Sequence, residues 1–208
     1  MSNSRRQILD RVRQNRPTVV ELPSLDESWV TYDDPVAQFL TITELIGGRA
    51  LVVADCAAAH RELANLAGYT SDAAQVSLVP GVGTSTIDVE TTETPHELAD
   101  LMWGVLPGEL GVAENGAVWV TEQICRHRAI YFLCEHLVLV LPKEAIVHNM
   151  HQAYERLRGF GTDDQPPFGT MLAGPSKTAD IEQSLVIGAQ GPRSLVVFLV
   201  EDPSFRGS

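Results

Sequence analysis

The sequence has no long apolar run and few cysteines. No stretch of about 18 apolar residues occurs, so no membrane span is predicted. The first residues, MSNSRRQILDRVRQNRP, lack the apolar core of a secretion signal, and the cytoplasm is therefore the expected location. Cys56, Cys125 and Cys134 show no C-x-x-C spacing, so neither a disulfide framework nor a four-cysteine cluster is expected in this chain.

Basic side chains and catalytic motifs are also scarce. Fifteen basic side chains stand against 27 acidic ones, which gives a net charge of −12. That balance argues against a nucleic-acid partner and against a polybasic membrane patch. The six histidines form no H-E-x-x-H motif, and the chain has no G-x-S-x-G motif. We therefore predict no metal site and no hydrolase nucleophile elbow.

What is present is the composition of one globular domain over residues 1–208. Hydrophobic residues make up 44% of the chain and charged residues 20%. Residues 1–35 predict an amphipathic helix followed by an extended connector, and residues 36–208 predict the core. Helix-like and strand-like segments alternate through that core. This alternation predicts a three-layer α/β/α fold with a mostly parallel sheet.

Several segments have a specific prediction. Asp34 is placed to cap a helix that ends near residue 47. The pair Asn115-Gly116 predicts an antiparallel hairpin within the otherwise parallel sheet. Other elements are predicted from apolar pattern alone: strands at 50–54, 136–142 and 194–202, and helices at 56–67, 94–102 and 143–158. The polar stretch 159–170 predicts a long loop or lid.

The stretch GPSKTADIEQSLVIGAQGP, residues 174–192, is the densest in polar and glycine chemistry. Backbone N–H groups, hydroxyls and an ammonium could converge there on one carboxylate or phosphate. A tight capped turn before a strand is the alternative. The residues proposed to contact the anion are Gly174, Ser176, Lys177 and Thr178, with Asp180 and Glu182 fixing the local geometry.

Two further loops carry candidate chemistry, and we expect all three at the carboxyl ends of the parallel strands. In GVAENGAVWV, turn chemistry explains Asn115 and Gly116 but not Glu114, a carboxylate inside an apolar run. Glu114 is either catalytic or paired with Lys177 or Arg128, since buried carboxylates are costly alone. The loop PGVGTST is a weaker phosphate-binding candidate, which would use Gly81, Gly83 and Thr84.

The segment Gly174 to Glu182, followed by Gly188-Ala-Gln-Gly-Pro192, resembles the signature of the LUD domain, and within it the lactate-utilisation protein C group. The Ala113–Val120 segment, Arg128 and the strand ending at Leu141-Pro142 follow in the same order, so the resemblance covers essentially the whole chain. Two positions depart from the family pattern. Ala113-Glu-Asn-Gly-Ala117 stands where Ala-Glu-Thr-Gly-Thr is expected, and Lys177 stands where arginine is common.

The resemblance implies a fold akin to the NagB/RpiA/CoA-transferase superfamily. It also implies a subunit that supports oxidation of L-lactate to pyruvate together with iron–sulfur partner proteins, rather than a stand-alone enzyme. The clusters would belong to those partners, and this chain would hold no cofactor of its own. A small anionic ligand is expected, and Arg128 and Gly191 join Asn115 and Gly116 as ligand-binding candidates.

Two enzyme functions remain open as alternatives. Glu114-Asn115-Gly116 resembles the Glu-Asn-Gly segment of class I CoA-transferases, whose glutamate forms an acyl intermediate. Those enzymes use two domains of this type, and a net charge of −12 offers little to the phosphates of CoA. A phosphorylated-small-molecule enzyme of the same superfamily, which would use the glycine loops, is the other alternative.

Overall fold

The computed structural model describes residues 2–25, 27–123, 125–158, 168–181 and 183–205. Five α-helices and eleven strands are assigned within those ranges. The helices are α1 (Ser2–Gln14), α2 (Pro35–Leu45), α3 (Cys56–Ala64), α4 (Ile130–Leu133) and α5 (Met150–Leu157). The strands are β1 (Arg49–Val53), β2 (Gln75–Ser77), β3 (Trp103–Pro107), β4 (Leu110–Val112), β5 (Ala117–Thr121), β6 (His136–Pro142), β7 (Ile146–Val147), β8 (Gly169–Leu172), β9 (Lys177–Ile181), β10 (Ser184–Ile187) and β11 (Ser194–Val200).

The central sheet is parallel throughout, with the strand order β1-β11-β6-β3-β2. Its inner strands β6 and β11 are buried at every position after the first, which explains their continuous apolar sequences. Successive side chains of β6 point to opposite faces. Leu139 belongs to the same core as Phe39 of α2, and Val138 to the same core as Leu63 of α3. Helices therefore cover both faces, and the predicted α/β fold with a mostly parallel sheet is confirmed.

The predicted hairpin forms, but in a different sheet. β4 and β5 pair antiparallel on either side of residues 113–116. They belong to a separate four-stranded sheet with the order β7-β4-β5-β8. The expectation that the hairpin joins the parallel sheet was wrong, because both of its outer edges pair elsewhere, with β7 and β8.

The segment 143–158 is not one helix. A 3₁₀ turn over Lys143–Ala145 leads into β7, and α5 begins only at Met150. Ile146 pairs with Gly111 in the second sheet, so tertiary pairing overrides the helical pattern of this segment. Residues Pro95–Leu98 likewise form a short 3₁₀ turn instead of the predicted longer helix.

The predicted helices α2 and α3 both begin at an aspartate that caps the first turn. The carboxylate of Asp34 accepts hydrogen bonds from the N–H groups of Val36 and Ala37, both at 3.0 Å, at the start of α2. Asp55 accepts from Ala58 at the start of α3. Among the described residues, no helix has both the length and the apolar character needed to cross a membrane. Most of the predicted 159–170 loop, residues 159–167, lies outside the described ranges.

Candidate functional site

The stretch 174–192 folds as a β-hairpin rather than as a turn. β9 and β10 pair antiparallel, with Ile187 opposite Lys177 and Val186 opposite Thr178. Asp180 lies in β9, and Glu182 lies outside the described residues. We call residues 174–192 the signature hairpin. Lys177 and Thr178 are therefore paired strand residues rather than residues of an open anion-binding nest.

The base of the signature hairpin packs on the end of α2. Gly174 has a φ of +70°, and a Cβ atom there would lie 2.8 Å from the carbonyl oxygen of Ile46, so only glycine fits this position. The ammonium of Lys177 donates to that same carbonyl. Because the last carbonyls of a helix lack partners, a cation placed there satisfies one of them and meets the negative end of the helix dipole.

Ser176 joins the two ends of the signature hairpin. Its N–H donates to the carbonyl of Pro192 at 2.8 Å, and its carbonyl accepts from the N–H of Gly188 at 2.9 Å. Gly191 lies against the Ser176 side chain: a Cβ atom there would be 3.1 Å from that of Ser176. The backbone N–H of Ser176, predicted to face an anion, is thus used inside the protein.

Glu114 is exposed, in contrast to the buried carboxylate that its apolar neighbours predicted. Its Oε2 atom accepts a hydrogen bond from the N–H of Met150 at 3.0 Å, at the start of α5. Asn115 accepts from Ala117 at 3.0 Å, and Gly116 adopts a φ of +70°. The predicted pairing of Glu114 with Lys177 or Arg128 is not found: Glu114 stabilises the beginning of a helix.

Arg128 lines a cleft of about 450 Å³. Its Nη1 atom donates to Glu122 at 3.0 Å, and its guanidinium lies over the ring of Phe168, 4.3 Å from the centroid. The residues lining the cleft are Pro95, Glu122, Cys125, Arg126, His127, Arg128 and Ala129. Two arginines make this the most cationic of the predicted sites, although Glu122 offsets part of that charge.

The glycine loop after β2 lies elsewhere. Gly83 donates its N–H to His60 Nδ1 at 3.0 Å, and the hydroxyl of Thr84 accepts from Gln75 at 3.2 Å. A Cβ atom at Gly81 would lie 3.5 Å from that of Cys56. The N–H of Gly83 and the hydroxyl of Thr84 are therefore already bonded within the protein.

The structure separates the three loops that were expected together. The PGVGTST loop follows β2 at the carboxyl end of the sheet, as expected. The signature hairpin instead meets the segment preceding β11 and the end of α2, which precedes β1, so it lies at the amino end. Gly116 joins it there, since a Cβ atom on Gly116 would lie 3.0 Å from Ile46. The expectation that all three loops share the carboxyl edge was wrong, because strand order decides which loops meet.

The sequence did not predict two of the hydrogen-bond acceptors found here, Ile46 and Glu122. Ile46 accepts from Lys177 through its backbone, so no side-chain pattern could have revealed it. Glu122, which pairs with Arg128, carried a detectable signal as an acidic residue six positions before it. Among the described residues, no group of three or more His, Cys, Asp or Glu side chains is arranged to hold a metal ion.

The sequence and the fold of this chain both resemble those of known proteins. The model of the LUD domain family matches residues 84–200, more than half of the chain. The chain belongs to the LUD domain family. The matched part of this LUD domain contains the hairpin turn with Glu114, Arg128 and the signature hairpin, whereas Gly81 and Gly83 lie just before it.

Curated relatives resemble this LUD domain at about 30% identity. Lactate utilization protein C of Shouchella clausii is 32% identical over 107 residues, which are 51% of this chain and 46% of the relative. The uncharacterized protein YkgG of Escherichia coli is 33% identical over 101 residues, 48% of this chain and 44% of that protein. Each alignment thus spans less than half of the relative.

A solved structure resembles the fold. The crystal structure of a DUF162 family protein from Deinococcus radiodurans superposes with a TM-score of 0.62 at 15% identity, covering 80% of this chain and 96% of that one. At 15% identity, this likeness supports the α/β fold alone, and it does so over most of the chain.

Proposed function

We propose that this LUD domain is a subunit of a lactate-utilisation system, which supports oxidation of L-lactate to pyruvate by iron–sulfur partner proteins. The proposal is supported by the similarity to proteins named Lactate utilization protein C. The reaction removes two electrons and two protons from lactate, one proton from the C2–H and one from the hydroxyl. The electrons pass to clusters held by the partners, each cluster taking one electron at a time.

The observation that carries a subunit role is a set of exposed apolar side chains on α4 and on the signature hairpin. Phe132 and Leu133 of α4 are 47% and 38% exposed, and Leu185 and Ile187 of β10 are 63% and 51% exposed. We call these four side chains the apolar rim. Phe132 and Leu133 line one cleft with residues 188–191, which directly follow β10, and exposed apolar side chains of this size are typical of protein contact sites.

A cleft lies next to Phe132 and Leu133 of the apolar rim. It has a volume of about 690 Å³, and its lining includes Phe132, Leu133 and residues 188–191. Arg193 and Glu135, which also line it, pair at 2.9 Å. A cleft lined by both apolar side chains and a charged pair suits a protein partner, which covers the apolar part and hydrogen-bonds to the polar part.

The small anionic ligand fits the cleft at Arg128 better than the signature hairpin. In the signature hairpin, Lys177 and the N–H of Ser176 are bonded to Ile46 and Pro192. At Arg128, the guanidinium has five N–H donors and gives Nη1 to Glu122, so its remaining edge can meet a carboxylate such as that of lactate.

Copurification tests the subunit role. The tagged chain, isolated from its native cells, should retain iron-containing partners and support lactate oxidation with them, whereas the purified chain alone should be inert with lactate and an electron acceptor. Ile187→Asp should abolish copurification. Thr41→Asp, which adds the same charge to an exposed site on α2, should not. Lactate oxidation by the lone chain would contradict the proposal.

A CoA-transferase-like role for Glu114 is the second candidate. The exposure of this carboxylate favours it, because an acyl-forming glutamate must reach its substrate. In that case acyl-CoA with hydroxylamine should inactivate the wild-type protein, and Glu114→Gln should abolish acyl exchange. An unmodified, folded protein after incubation with acyl-CoA would exclude this candidate.

A further inference from the structure

Residues 2–25, here called the arm, leave apolar side chains in solvent. In α1, Ile8 and Val12 are one helical turn apart and are 62% and 58% exposed, with Leu9 beside them. In the extended part that follows, Val19 and Leu22 are 96% and 92% exposed. A helix stripe followed by an extended apolar segment is the surface of an element that packs on another protein.

The arm and the rest of the chain have opposite charge. Of the 15 basic and 27 acidic side chains, the arm holds five arginines and two acids, Asp10 and Glu21, which leaves ten basic and 25 acidic side chains for the rest. The rest of the chain is therefore strongly acidic, and the arm is basic. Opposite charges of this size attract in water and steer association.

The segment that follows the arm, from Trp29 to Tyr32, is fixed to α5. The ring of Trp29 stacks on His151 with 3.4 Å between centroids, and Asn149 Nδ2 donates to the carbonyl of Val30 at 2.7 Å. The N–H of Tyr32 donates to His148 Nδ1 at 3.1 Å. The arm thus leaves the body from a defined point, so a contact made by the arm orients one body relative to another.

We propose that the arm docks on the acidic body of a second copy of this chain, and that two copies exchange arms in a two-fold dimer. Charge complementarity and symmetry together favour this partner. A membrane of anionic lipid or a nucleic acid would attract the arm and repel the acidic body attached to it, and a second acidic body repels the first as well. A second copy attracts the arm with its whole body and covers the apolar stripe, and a two-fold arrangement uses the contact twice.

Sedimentation equilibrium of the full-length protein at low salt tests the inference, without any lactate-utilisation partner. The wild type should be dimeric at micromolar concentration. Val12→Asp should raise the dimer dissociation constant at least tenfold. Gln14→Asp places the same charge on the opposite face of α1 and should leave the constant within twofold, which controls for helix and charge effects.

Charge reversal gives an independent test of the dimer. Arg5→Glu with Arg11→Glu should weaken the dimer at least tenfold, and raising the salt concentration should weaken the wild-type dimer but change the variant less. A monomer at every concentration, or equal dimerisation of Val12→Asp and Gln14→Asp, would overturn the inference. So would arm-dependent binding to vesicles of phosphatidylserine or to DNA. None of these results bears on the lactate-utilisation proposal.

Discussion

The ammonium of Lys177 donates a hydrogen bond to the carbonyl of Ile46, the residue that caps the end of α2. This contact makes the signature lysine a stabilising residue. We expect Lys177→Ala to lower the free energy of unfolding by about 1 kcal/mol, because it removes a cation from a helix C-terminus. Urea unfolding measures the loss, and Lys177→Arg, which keeps the charge, should lose less. Unchanged stability with lost anion binding would instead identify a ligand contact.

A second prediction concerns Glu114 and the start of α5. Glu114→Ala removes the acceptor of the Met150 N–H and should destabilise the protein by about 1 kcal/mol. Glu114→Gln keeps an oxygen acceptor and should cost less than half as much. Thermal melts of the two variants give the comparison. Equal losses would mean that charge, rather than the hydrogen bond, carries the effect.

A third prediction separates backbone strain from steric conflict. Gly174 and Gly68 both have positive φ, at +70° and +83°, but only Gly174 has a neighbour that a Cβ atom would strike. Gly68→Ala should cost about 1 kcal/mol, the penalty of the left-handed backbone alone. Gly174→Ala should cost about 2–3 kcal/mol, since the Ile46 carbonyl must also move. Similar losses, read from urea midpoints, would refute the close packing at α2.

A fourth prediction is a pH dependence centred on His136. Burial lowers the pKa of His136, a shift that Arg193 reinforces and Glu135 opposes. The His136 imidazole therefore binds a proton more readily in the unfolded chain than in the folded protein. The stability that neutral His136 contributes is fully present above its unfolded pKa of about 6.5. That stability is lost as the pH falls from there through the pKa of His136 in the folded protein.

The check is a set of thermal melts between pH 8 and pH 5. His136→Asn keeps a polar partner for Ser194, which lies 2.8 Å from the imidazole Nδ1 atom, but cannot titrate. The melting temperature of the wild type should fall more steeply with acid than that of the variant. Parallel curves would show that other groups account for the acid sensitivity.

A fifth prediction concerns the thiols. Burial raises the pKa of Cys134 to about 12 and also raises the pKa of Cys125. Burial raises the pKa of Cys56 too, with the charges of Asp55 and Asp202 adding to the shift. Since the thiolate is the reactive form, Ellman's reagent at pH 8 should modify all three at least tenfold more slowly in the native protein than in urea. A thiol that reacts at the same rate in both conditions would contradict this.

Much of the fold follows from local pattern. β6 and β11 are predicted because buried parallel strands require continuous apolar runs. The turn at Asn115-Gly116 is predicted because few other pairs accept its geometry. The segment 143–158 shows the limit: Ile146 fits a helical stripe as well as a strand, and only the presence of β4 nearby decides between them.

The candidate site was less predictable for the same reason. Sequence marks Glu114 and Lys177 as unusual, because each is a charge in an unexpected setting. What each charge does depends on backbone groups far along the chain, the N–H of Met150 and the carbonyl of Ile46. Backbone groups are the same at every residue, so their use as partners leaves no trace in the sequence.

The position of β11 makes completion of this fold a late event in synthesis. β11, residues 194–200, lies between β1 and β6. The pairing of β1 in this sheet therefore cannot form until residues 194–200 have been synthesised. Pairings this distant along the chain slow folding, because a large loop must close before they form. A nascent chain that stalls before residue 194 would present β1 and β6 with open edges, the form in which strands aggregate.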